Sequence, residues 1–387
     1  MRLGDCGKTN LHTYSDKEKW SLIRYLDTGS ITEGRIDEIQ TLYPGVDKIP
    51  SRARRKASVG DILFSTVRPN QKHYGIIEAG TENLLVSTGF TVVTVDTTIA
   101  DPYFIYYYLT QSSVIESLQA IAEQSTSTYP SIKPSDIEDI ELDLPELETQ
   151  KKIGSTLRML DRKIALNEEI NDNLYAQAKA IFDNHFINID AIPARWRKGN
   201  LLDIANYLNG LAMQKFRPQG NEIGLPVLKI KELRQGSCDD SSELCSLSIK
   251  PEYIIHNGDV VFSWSGSLLV DIWCGGTCGL NQHLFKVTSD VYDKWFYYLW
   301  TAHHLARFIA IAADKATTMG HIKREELAKA EVLIPCEEDY TSFNSIMQPI
   351  FELIISNRIE SRKLAALRDE LLPKLMTGEI DVSDVQL

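Results

Sequence analysis

The pattern of apolar and polar positions divides the chain into short β-like runs and two long helical segments. Residues 60–67 and 89–95 are apolar runs bounded by clusters of Gly, Pro, Asn and Ser, which is typical of strands. An aromatic stretch of helical character follows at residues 103–118. One long segment begins after Pro145 and another after Pro335. The pattern predicts small α/β domains that alternate with long helices.

The second half of the chain repeats the first. Ile132-Lys133 and Pro145 recur 190 residues later as Ile322-Lys323 and Pro335. Residues 60–65, Gly-Asp-Ile-Leu-Phe-Ser, recur at 258–263 as Gly-Asp-Val-Val-Phe-Ser. A period this long indicates a duplicated domain rather than a solenoid. We therefore predict a first α/β domain at 1–145, a central helical spacer at 146–190, a second α/β domain at 191–335, and a C-terminal helical spacer and tail at 336–387.

The first long segment, at about residues 149–185, spaces its apolar residues as a heptad seam. Shifted by 190 residues, all but one of these positions are apolar again. We expect Asn167 and its counterpart Asn357 to form a buried polar pair that sets the register, the alternative being that both are exposed. Pro349 predicts a late start or a kink in the second helix. The remaining predicted seam positions are Ile153, Leu157, Leu160, Ile164, Leu174, Ile350, Ile354, Leu364 and Leu371.

The length of these segments predicts two rods. About 37 residues of helix extend roughly 55 Å. If the two repeats are related by a pseudo-two-fold axis, the rods must run antiparallel, with one globular domain at each end. We therefore expect an antiparallel coiled coil that separates two α/β domains.

Composition and charge describe an ordinary globular chain. The 387 residues include 41 Lys and Arg against 53 Asp and Glu, for a net charge of −12. Six cysteines are too few for a disulfide framework, and we see neither a signal peptide nor a membrane-spanning stretch, so a cytoplasmic protein is expected. The charge is segregated: residues 50–72 hold six basic residues and one acid, whereas 136–150 hold seven acids and no base. A basic region of this kind is compatible with nucleic acid despite the acidic total.

Motifs for catalysis or metal binding are weak. The chain has no two adjacent prolines, so it lacks the Asn/Asp-Pro-Pro-aromatic tetrapeptide of DNA adenine methyltransferases, and residues 101–104, Asp-Pro-Tyr-Phe, are better explained as a helix start. No phosphate-binding loop for a nucleotide is present. The spacings Cys238 to Cys245 and Cys274 to Cys278 do not favour zinc, and His303-His304 is interpreted as helix surface.

The chain resembles the specificity subunit of type I restriction-modification systems. Two α/β domains alternate with two long helical spacers, the Gly-Asp-apolar-apolar-Phe-Ser segment occurs twice, and the second spacer ends at 371–380 in Leu-Leu-Pro-Lys-Leu-Met-Thr-Gly-Glu-Ile. The resemblance covers essentially the whole chain. It implies that each α/β domain is a target recognition domain for one half of a bipartite, asymmetric DNA site, and that the coiled coil sets the spacer.

The resemblance also implies the partners. These are double-stranded DNA, two modification (methyltransferase) subunits and, as further candidates, restriction subunits. No membrane is expected as a partner. The chain itself would be non-catalytic and hold no cofactor, while S-adenosylmethionine, ATP and Mg belong to partner subunits. The alternative is a protein-bridging scaffold whose two domains bind proteins. A self-sufficient methyltransferase is disfavoured by the missing tetrapeptide.

Side chains that read DNA are expected in the loops of both domains. Arg and Lys pair with guanine, Asn and Gln with adenine, and Ser and Thr with either, while basic and hydroxyl groups also hold phosphates. For each candidate the alternative is an ordinary solvated loop residue. In the first domain the candidates are Arg52, Arg54, Arg55, Lys56, Arg68, Asn70, Gln71, Lys72, Thr126 and Thr128. In the second they are Gln214, Lys215, Arg217, Arg234, Gln235, Ser265, Gln282, His283, Lys315 and Thr317.

Overall fold

The computed structural model describes residues 1–80, 82–125, 129–314, 322–383 and 385. By contacts the chain forms two compact units. Unit 1 comprises Met1–Arg162 and Ala366–Leu387, and unit 2 comprises Lys163–Ala365. Each unit combines one α/β domain with the parts of the two long helices that share its core, so the boundary between the units falls within those helices. The division into four segments drawn from the sequence stays a prediction.

Among its described residues, unit 1 contains ten strands, four short helices, the first part of one long helix and the last part of another. The strands are β1 (Gly7–Thr9), β2 (Ile23–Leu26), β3 (Ile31–Thr32), β4 (Arg35–Ile36), β5 (Gln40–Leu42), β6 (Ala53–Lys56), β7 (Ile62–Ser65), β8 (Tyr74–Ile76), β9 (Leu84–Ser87) and β10 (Phe90–Val95). The helices are α1 (Leu3–Cys6), α2 (Pro102–Thr110), α3 (Ser112–Glu123), α4 (Pro134–Glu138) and the long α5 (Leu147–Phe182).

Unit 2 follows the same plan. Its strands are β11 (Arg197–Asn200), β12 (Asn206–Asn209), β13 (Leu225–Leu228), β14 (Leu244–Cys245), β15 (Ile254–Ile255), β16 (Asp259–Ser263), β17 (Leu269–Trp273), β18 (Cys278–Leu280), β19 (Leu284–Thr288) and β20 (Glu331–Ile334). Its helices are α6 (Leu201–Ile204), α7 (Ile230–Gln235), α8 (Lys294–His303), α9 (Leu305–Asp314), α10 (Arg324–Ala328) and the long α11 (Glu337–Met376).

The sheets of the two units have matching strand orders. An antiparallel sheet runs β1-β10-β7-β8 in unit 1 and β12-β19-β16-β17 in unit 2. A second sheet runs β5-β2-β9-β6 and β14-β13-β18-β15, with one parallel pair, β2 with β9 and β13 with β18, at the centre of each. The repeated segment at 60–65 and 258–263 becomes the matched strands β7 and β16. The predicted duplicated α/β fold is confirmed.

An aromatic helix lies in the core of each unit. In unit 1, Phe104 and Tyr107 of α2 pack with Phe64 of β7 and with Ile153 and Leu157 of α5. The Asp101 carboxylate accepts the Phe104 N–H at 2.9 Å and Pro102 occupies the first turn, so the predicted helix start at 101–104 is confirmed. Apolar burial against α5 therefore ties the long helix to the sheet.

Unit 2 has the larger aromatic core. Trp295, Phe296 and Trp300 of α8 pack against Phe262 of β16 and against Phe351 of α11. These rings meet edge-on or tilted at centroid separations such as 5.2 Å between Trp295 and Phe296, the geometry that aromatic quadrupoles favour.

The long helices are continuous. Helix α5 contains 36 residues and is followed by a π-helical turn at Asp183–Ile187. Helix α11 contains 40 residues and passes through Pro349, so the predicted late start is wrong. Proline removes one hydrogen bond and crowds the preceding turn, yet twelve residues on the N-terminal side of Pro349 are helical, with Met347 buried beside it.

Within unit 2, α5 and α11 pack antiparallel through polar contacts. The Asn167 side-chain N–H donates to Glu360 Oε2 at 2.8 Å and to Ser361 Oγ at 3.2 Å. Asn357 donates to Asn171 Oδ1 at 2.9 Å. Both seam asparagines are buried, but the expected direct pair is wrong, because antiparallel packing places the partners of Asn167 one helical turn away from Asn357.

The one seam position that is not apolar carries an ion pair in unit 1. Arg368 of α11 donates to Asp161 of α5 at 2.7 Å, and the Tyr107 hydroxyl donates to the other Asp161 oxygen at 2.6 Å. Here, too, α5 and α11 run antiparallel. The nine apolar seam positions predicted from the sequence are all buried or half-buried.

Candidate nucleic-acid interface

The loop after β7 in unit 1 presents Arg68. Its backbone is left-handed, with φ of 49°, and its N–H donates to the Pro130 carbonyl at 3.0 Å. The exposed guanidinium lies over the Tyr129 ring, 5.2 Å from the ring centroid. A non-glycine residue in this conformation requires support from its surroundings, which the loop contacts supply. Arg68 is thus held at the surface in a defined orientation.

Its neighbours Asn70 and Gln71 lie in a 3-10 turn at Pro69–Gln71 and are exposed. The Asn70 N–H donates to Gln119 Oε1 of α3 at 3.2 Å. Beside this turn, the Ile132 N–H donates to the Thr66 carbonyl at 2.8 Å, which brings residues 130–132 next to Arg68. The predicted contacts Thr126 and Thr128 lie outside the described residues.

The basic residues on and beside β6 differ in their contacts and exposure. Arg55 is half-buried and donates to Asn10 Oδ1 and to the Phe90 carbonyl, and burial lowers the pKa of its guanidinium. These contacts disfavour Arg55 as a DNA contact, because its donors serve the fold. Lys56 pairs with Glu18, whose pKa is lowered by that hydrogen bond. Arg52 is exposed and Arg54 half-buried.

Two further lysine and arginine candidates are paired with carboxylates. Lys72 contacts Glu33, and Arg217 donates to Glu243 Oε2 at 2.7 Å. Both pairs are about half exposed, so neither is worth much in water. A phosphate could replace the carboxylate, but the two cations are not free in this structure.

The loops of unit 2 present a polar cluster at the matching place. Ser265, in the loop after β16, is buried, and its Oγ lies 2.9 Å from His283 Nδ1. Gln282 Nε2 lies 3.4 Å from His283 Nε2. The Ile322 N–H donates to the Trp264 carbonyl at 3.1 Å, as Ile132 does to Thr66 in unit 1.

The remaining unit 2 candidates are scattered over other loops. Gln214 and Lys215 are exposed on the 3-10 turn Met213–Lys215, and Arg234 is exposed at the end of α7. Gln235 contacts Asp239 Oδ2 at 3.2 Å. Lys315 and Thr317 lie outside the described residues.

Sequence reasoning missed several residues that shape these loops. Gln119 of α3 anchors the Asn70 turn, and the Asn209 side chain accepts the Trp264 indole N–H at 2.9 Å. Neither belongs to a repeated motif or a charged run, so the sequence carried no signal for them. Their roles depend on elements that only folding brings together.

Two other sequence interpretations can be compared with the structure. His304 is buried and its Nε2 lies 2.8 Å from the Glu331 carbonyl, so its interpretation as helix surface is wrong. His304 directly follows α8, whose apolar face packs in the core, and its imidazole is buried beside that face. All six cysteines are free thiols. Among the described residues, no group of His, Cys, Asp and Glu could hold a metal ion, and no helix is long and apolar enough to cross a membrane.

The chain is similar in sequence to known proteins. A family model described as type I restriction modification DNA specificity domain matches residues 53–176. The type I restriction enzyme HindI specificity subunit of Haemophilus influenzae is 22% identical, with 98% of each chain covered. The type I restriction enzyme MjaIX specificity subunit of Methanocaldococcus jannaschii is 26% identical, with 84% of this chain and 79% of the relative covered.

A solved structure supports the fold. The S subunit of a type I restriction-modification system from M. genitalium superposes with a TM-score of 0.57 at 14% identity, over 97% of this chain and 95% of that one. The chain therefore shares the fold of that S subunit. Over nearly its whole length the chain is similar to specificity subunits of type I restriction-modification systems, and its residues 53–176 match the DNA specificity domain of that family.

Proposed function

We propose that each unit reads one half of a bipartite, asymmetric DNA site. The chain would then act as the sequence-recognition subunit of a type I restriction-modification complex. The observation that carries this proposal is the pair of matched frameworks, β1-β10-β7-β8 and β12-β19-β16-β17, that present different side chains from equivalent loops. Equal frameworks with unequal loops suit the reading of two unequal half-sites.

The chemistry of the loops supports major-groove reading. Arg68 offers a forked pair of donors, which fits the O6 and N7 acceptors of guanine. Its stacking on Tyr129 and its anchored backbone limit the entropy lost when it pairs with a base. Exposed Arg52 in unit 1 and Lys215 in unit 2 are proposed phosphate contacts, which position the protein without reading sequence.

Partners complete the activity in this proposal. Two modification subunits, one for each repeat, would bring S-adenosylmethionine and the methyl transfer, and restriction subunits, where present, would bring ATP, Mg and cleavage. This chain would contribute recognition and no catalytic residue. Its net charge of −12 opposes phosphate attraction, so we propose that tight DNA binding requires the assembled complex in the cytoplasm.

Methylome sequencing tests the proposal. A methylation-free host should carry the chain together with the modification subunit encoded beside it. We expect one bipartite motif. Replacing residues 1–145 by the corresponding domain of a relative should then change one half of that motif only. Changes in both halves would contradict independent reading.

The scaffold alternative requires a different measurement. If the assembled complex binds duplex DNA through phosphates, its affinity falls steeply as salt is raised, because counterions are released. A complex that binds DNA no more tightly with this chain than without it would favour the protein-bridging scaffold.

A further inference from the structure

The same backbone hydrogen bonds hold one turn in both units. In unit 1 the Thr66 N–H donates to the Gly89 carbonyl at 2.8 Å, and in unit 2 the Trp264 N–H donates to the His283 carbonyl at 3.3 Å. The Gly89 N–H donates to the Ser87 side chain at 3.3 Å, and the His283 N–H to the Asn281 side chain at 3.2 Å. The turns between β9 and β10 and between β18 and β19 are therefore structural equivalents.

The side chains on these matched turns differ. Unit 1 has Thr88-Gly89 where unit 2 has Gln282-His283. A Cβ at Gly89 would lie 2.8 Å from Thr28 Cγ2, so unit 1 leaves no room for a side chain there. Since the backbone is shared and the side chains are not, the turn is a place where the two units can differ in what they read.

In unit 2 the turn is held rigidly. The Gln282 N–H donates to the Leu211 carbonyl at 2.8 Å. Gly210 lies against the same turn, because a Cβ there would be 2.2 Å from the Asn281 carbonyl oxygen. Ser263 Oγ donates to the Ser267 carbonyl at 2.9 Å and so closes the loop that carries Ser265.

Three side chains then form a relay from the interior to the surface. Ser265 is 4% exposed, and its Oγ contacts His283 Nδ1 at 2.9 Å. The half-buried Gln282 amide contacts His283 Nε2 at 3.4 Å. The imidazole thus couples the amide of Gln282 to a buried hydroxyl.

Either imidazole tautomer leaves the same groups on Gln282. If Nε2 accepts, it uses one of the two amide hydrogens. If Nε2 donates, the amide is rotated by half a turn and one of the two carbonyl lone pairs is used. In both cases the amide keeps one donor and one acceptor, the pair that matches N7 and the N6 amino group of adenine.

We propose that Gln282 reads an adenine in the half-site of unit 2, and that His283 and Ser265 are positioning residues that orient its amide. This inference rests on the proposed function and deepens it, because it assigns one base contact and the residues that support it. Unit 1 lacks the relay, so the contact belongs to one half-site only.

The experiment uses the complete complex with its modification subunits and the motif determined for the wild-type chain. Methylation rates are compared on duplexes that carry each base, or 7-deazaadenine, at every adenine of the unit 2 half-site. Gln282→Ala should lower discrimination at one adenine by about 5- to 150-fold. With the wild-type chain, the 7-deazaadenine duplex should be methylated more slowly than the adenine duplex. With Gln282→Ala, the 7-deazaadenine substitution should cause no further loss of rate.

Variants of the two positioning residues test the relay separately. His283→Phe and Ser265→Ala should relax the same position to a smaller extent, and His283→Phe should add nothing in the Gln282→Ala background. The exposed Gln219, which takes no part in the relay, provides the control variant Gln219→Ala, which should leave every position unchanged. If His283→Phe fails to fold, Ser265→Ala removes only one oxygen and carries the test.

The outcomes distinguish failure of the proposed function from failure of the Gln282 assignment. A wild-type chain that directs methylation to no bipartite motif overturns the proposed function. A bipartite motif that Gln282→Ala weakens equally on all sequences makes Gln282 a phosphate contact and overturns the inference. Relaxation by Gln282→Ala without any effect of Ser265→Ala or His283→Phe overturns the relay.

Discussion

At the scale of single residues, burial separates cations that look alike in the sequence. Arg55 and Arg68 both lie in the basic region 50–72. Arg55 donates hydrogen bonds to Asn10 and to the Phe90 carbonyl, whereas Arg68 is exposed over Tyr129. The first therefore stabilises unit 1, and the second is the one that we propose as a base contact.

Substitution of Arg68 should affect one half-site only. Arg68→Ala removes the forked donor, so discrimination at one guanine should fall by about 1–3 kcal/mol. Arg68→Lys keeps the charge but not the fork and should restore little of it. Methylation rates on base-substituted duplexes measure both variants. A loss that is equal on all sequences would reassign Arg68 to a phosphate.

Arg55→Ala is the matched control. It removes charge-assisted hydrogen bonds inside unit 1, so it should lower the free energy of unfolding by roughly 1–3 kcal/mol while leaving base preference unchanged. Thermal unfolding and the same methylation assay check the two statements.

At the scale of elements, the C-terminal end of helix α8 carries two titratable groups, the exposed His303 and, directly after it, the buried His304. Partial desolvation lowers the pKa of His303 and burial lowers that of His304, whose hydrogen bond with the Glu331 carbonyl needs a proton on Nε2 only. Both imidazoles are therefore favoured in the neutral form in the folded chain.

This arrangement predicts that unit 2 loses stability in acid. Below the ordinary histidine pKa of about 6.5, the unfolded chain binds protons that the folded chain does not, so stability should fall as the pH falls through that value. His304→Gln keeps an N–H for Glu331 and should reduce the slope. Five of the six tryptophans lie in unit 2, so urea unfolding followed by tryptophan fluorescence reports on it. Equal slopes for both chains would contradict the prediction.

The seam between α5 and α11 predicts a contrast between two asparagines. The buried Asn167 carbonyl has no hydrogen-bond partner, and its acceptor Glu360 also contacts Lys163 at 3.2 Å. Asn167→Leu should therefore raise the free energy of unfolding by about 1 kcal/mol. Asn357→Leu removes the donor to Asn171 and should lower it by a similar amount. Thermal melts of the two variants measure these changes. Shifts of the melting temperature in the same direction for both variants would refute the contrast.

At the scale of the whole molecule, duplication repeats a framework and leaves its loops free to differ. Strand orders match in both sheets, yet Thr88-Gly89 is replaced by Gln282-His283 on the same turn. Backbone hydrogen bonds depend little on side chains, whereas a base contact depends on them entirely. The half-site identity should therefore change far more readily than the fold.

We expect the long helices to determine the number of unread base pairs between the half-sites. Four residues inserted into α5 after Glu168 and four into α11 after Ile359 add about 6 Å to each helix and nearly preserve its phase. The spacer in the methylated motif should lengthen by one or two base pairs, at about 3.4 Å each, with both half-sites unchanged. Methylome sequencing measures it.

The control places the same four residues after Gly220, in an exposed loop of unit 2, and should leave the spacer unchanged. An unchanged spacer in the helix variant as well would show that helix length does not set this distance.

Much of the fold could be predicted from the sequence because it depends on periodic burial. The heptad positions of α5, the repeat of β7 in β16 and the helix start at Asp101 follow from local patterns that fold as their spacing predicts. The continuity of α11 through Pro349 did not follow, since the cost of one missing donor is outweighed by packing along the rest of the helix.

The candidate site was predictable only as a set of regions. Sequence alone determined that there are two similar domains, two long helices and polar loops after the repeated strands, because these depend on residue type and spacing. It could not determine that Arg55 faces the Phe90 carbonyl, that Asn167 contacts Glu360 rather than Asn357, or that Ser265, His283 and Gln282 meet. The geometry of those contacts exists only once the sheets and helices have packed, because most of them join residues distant in the chain.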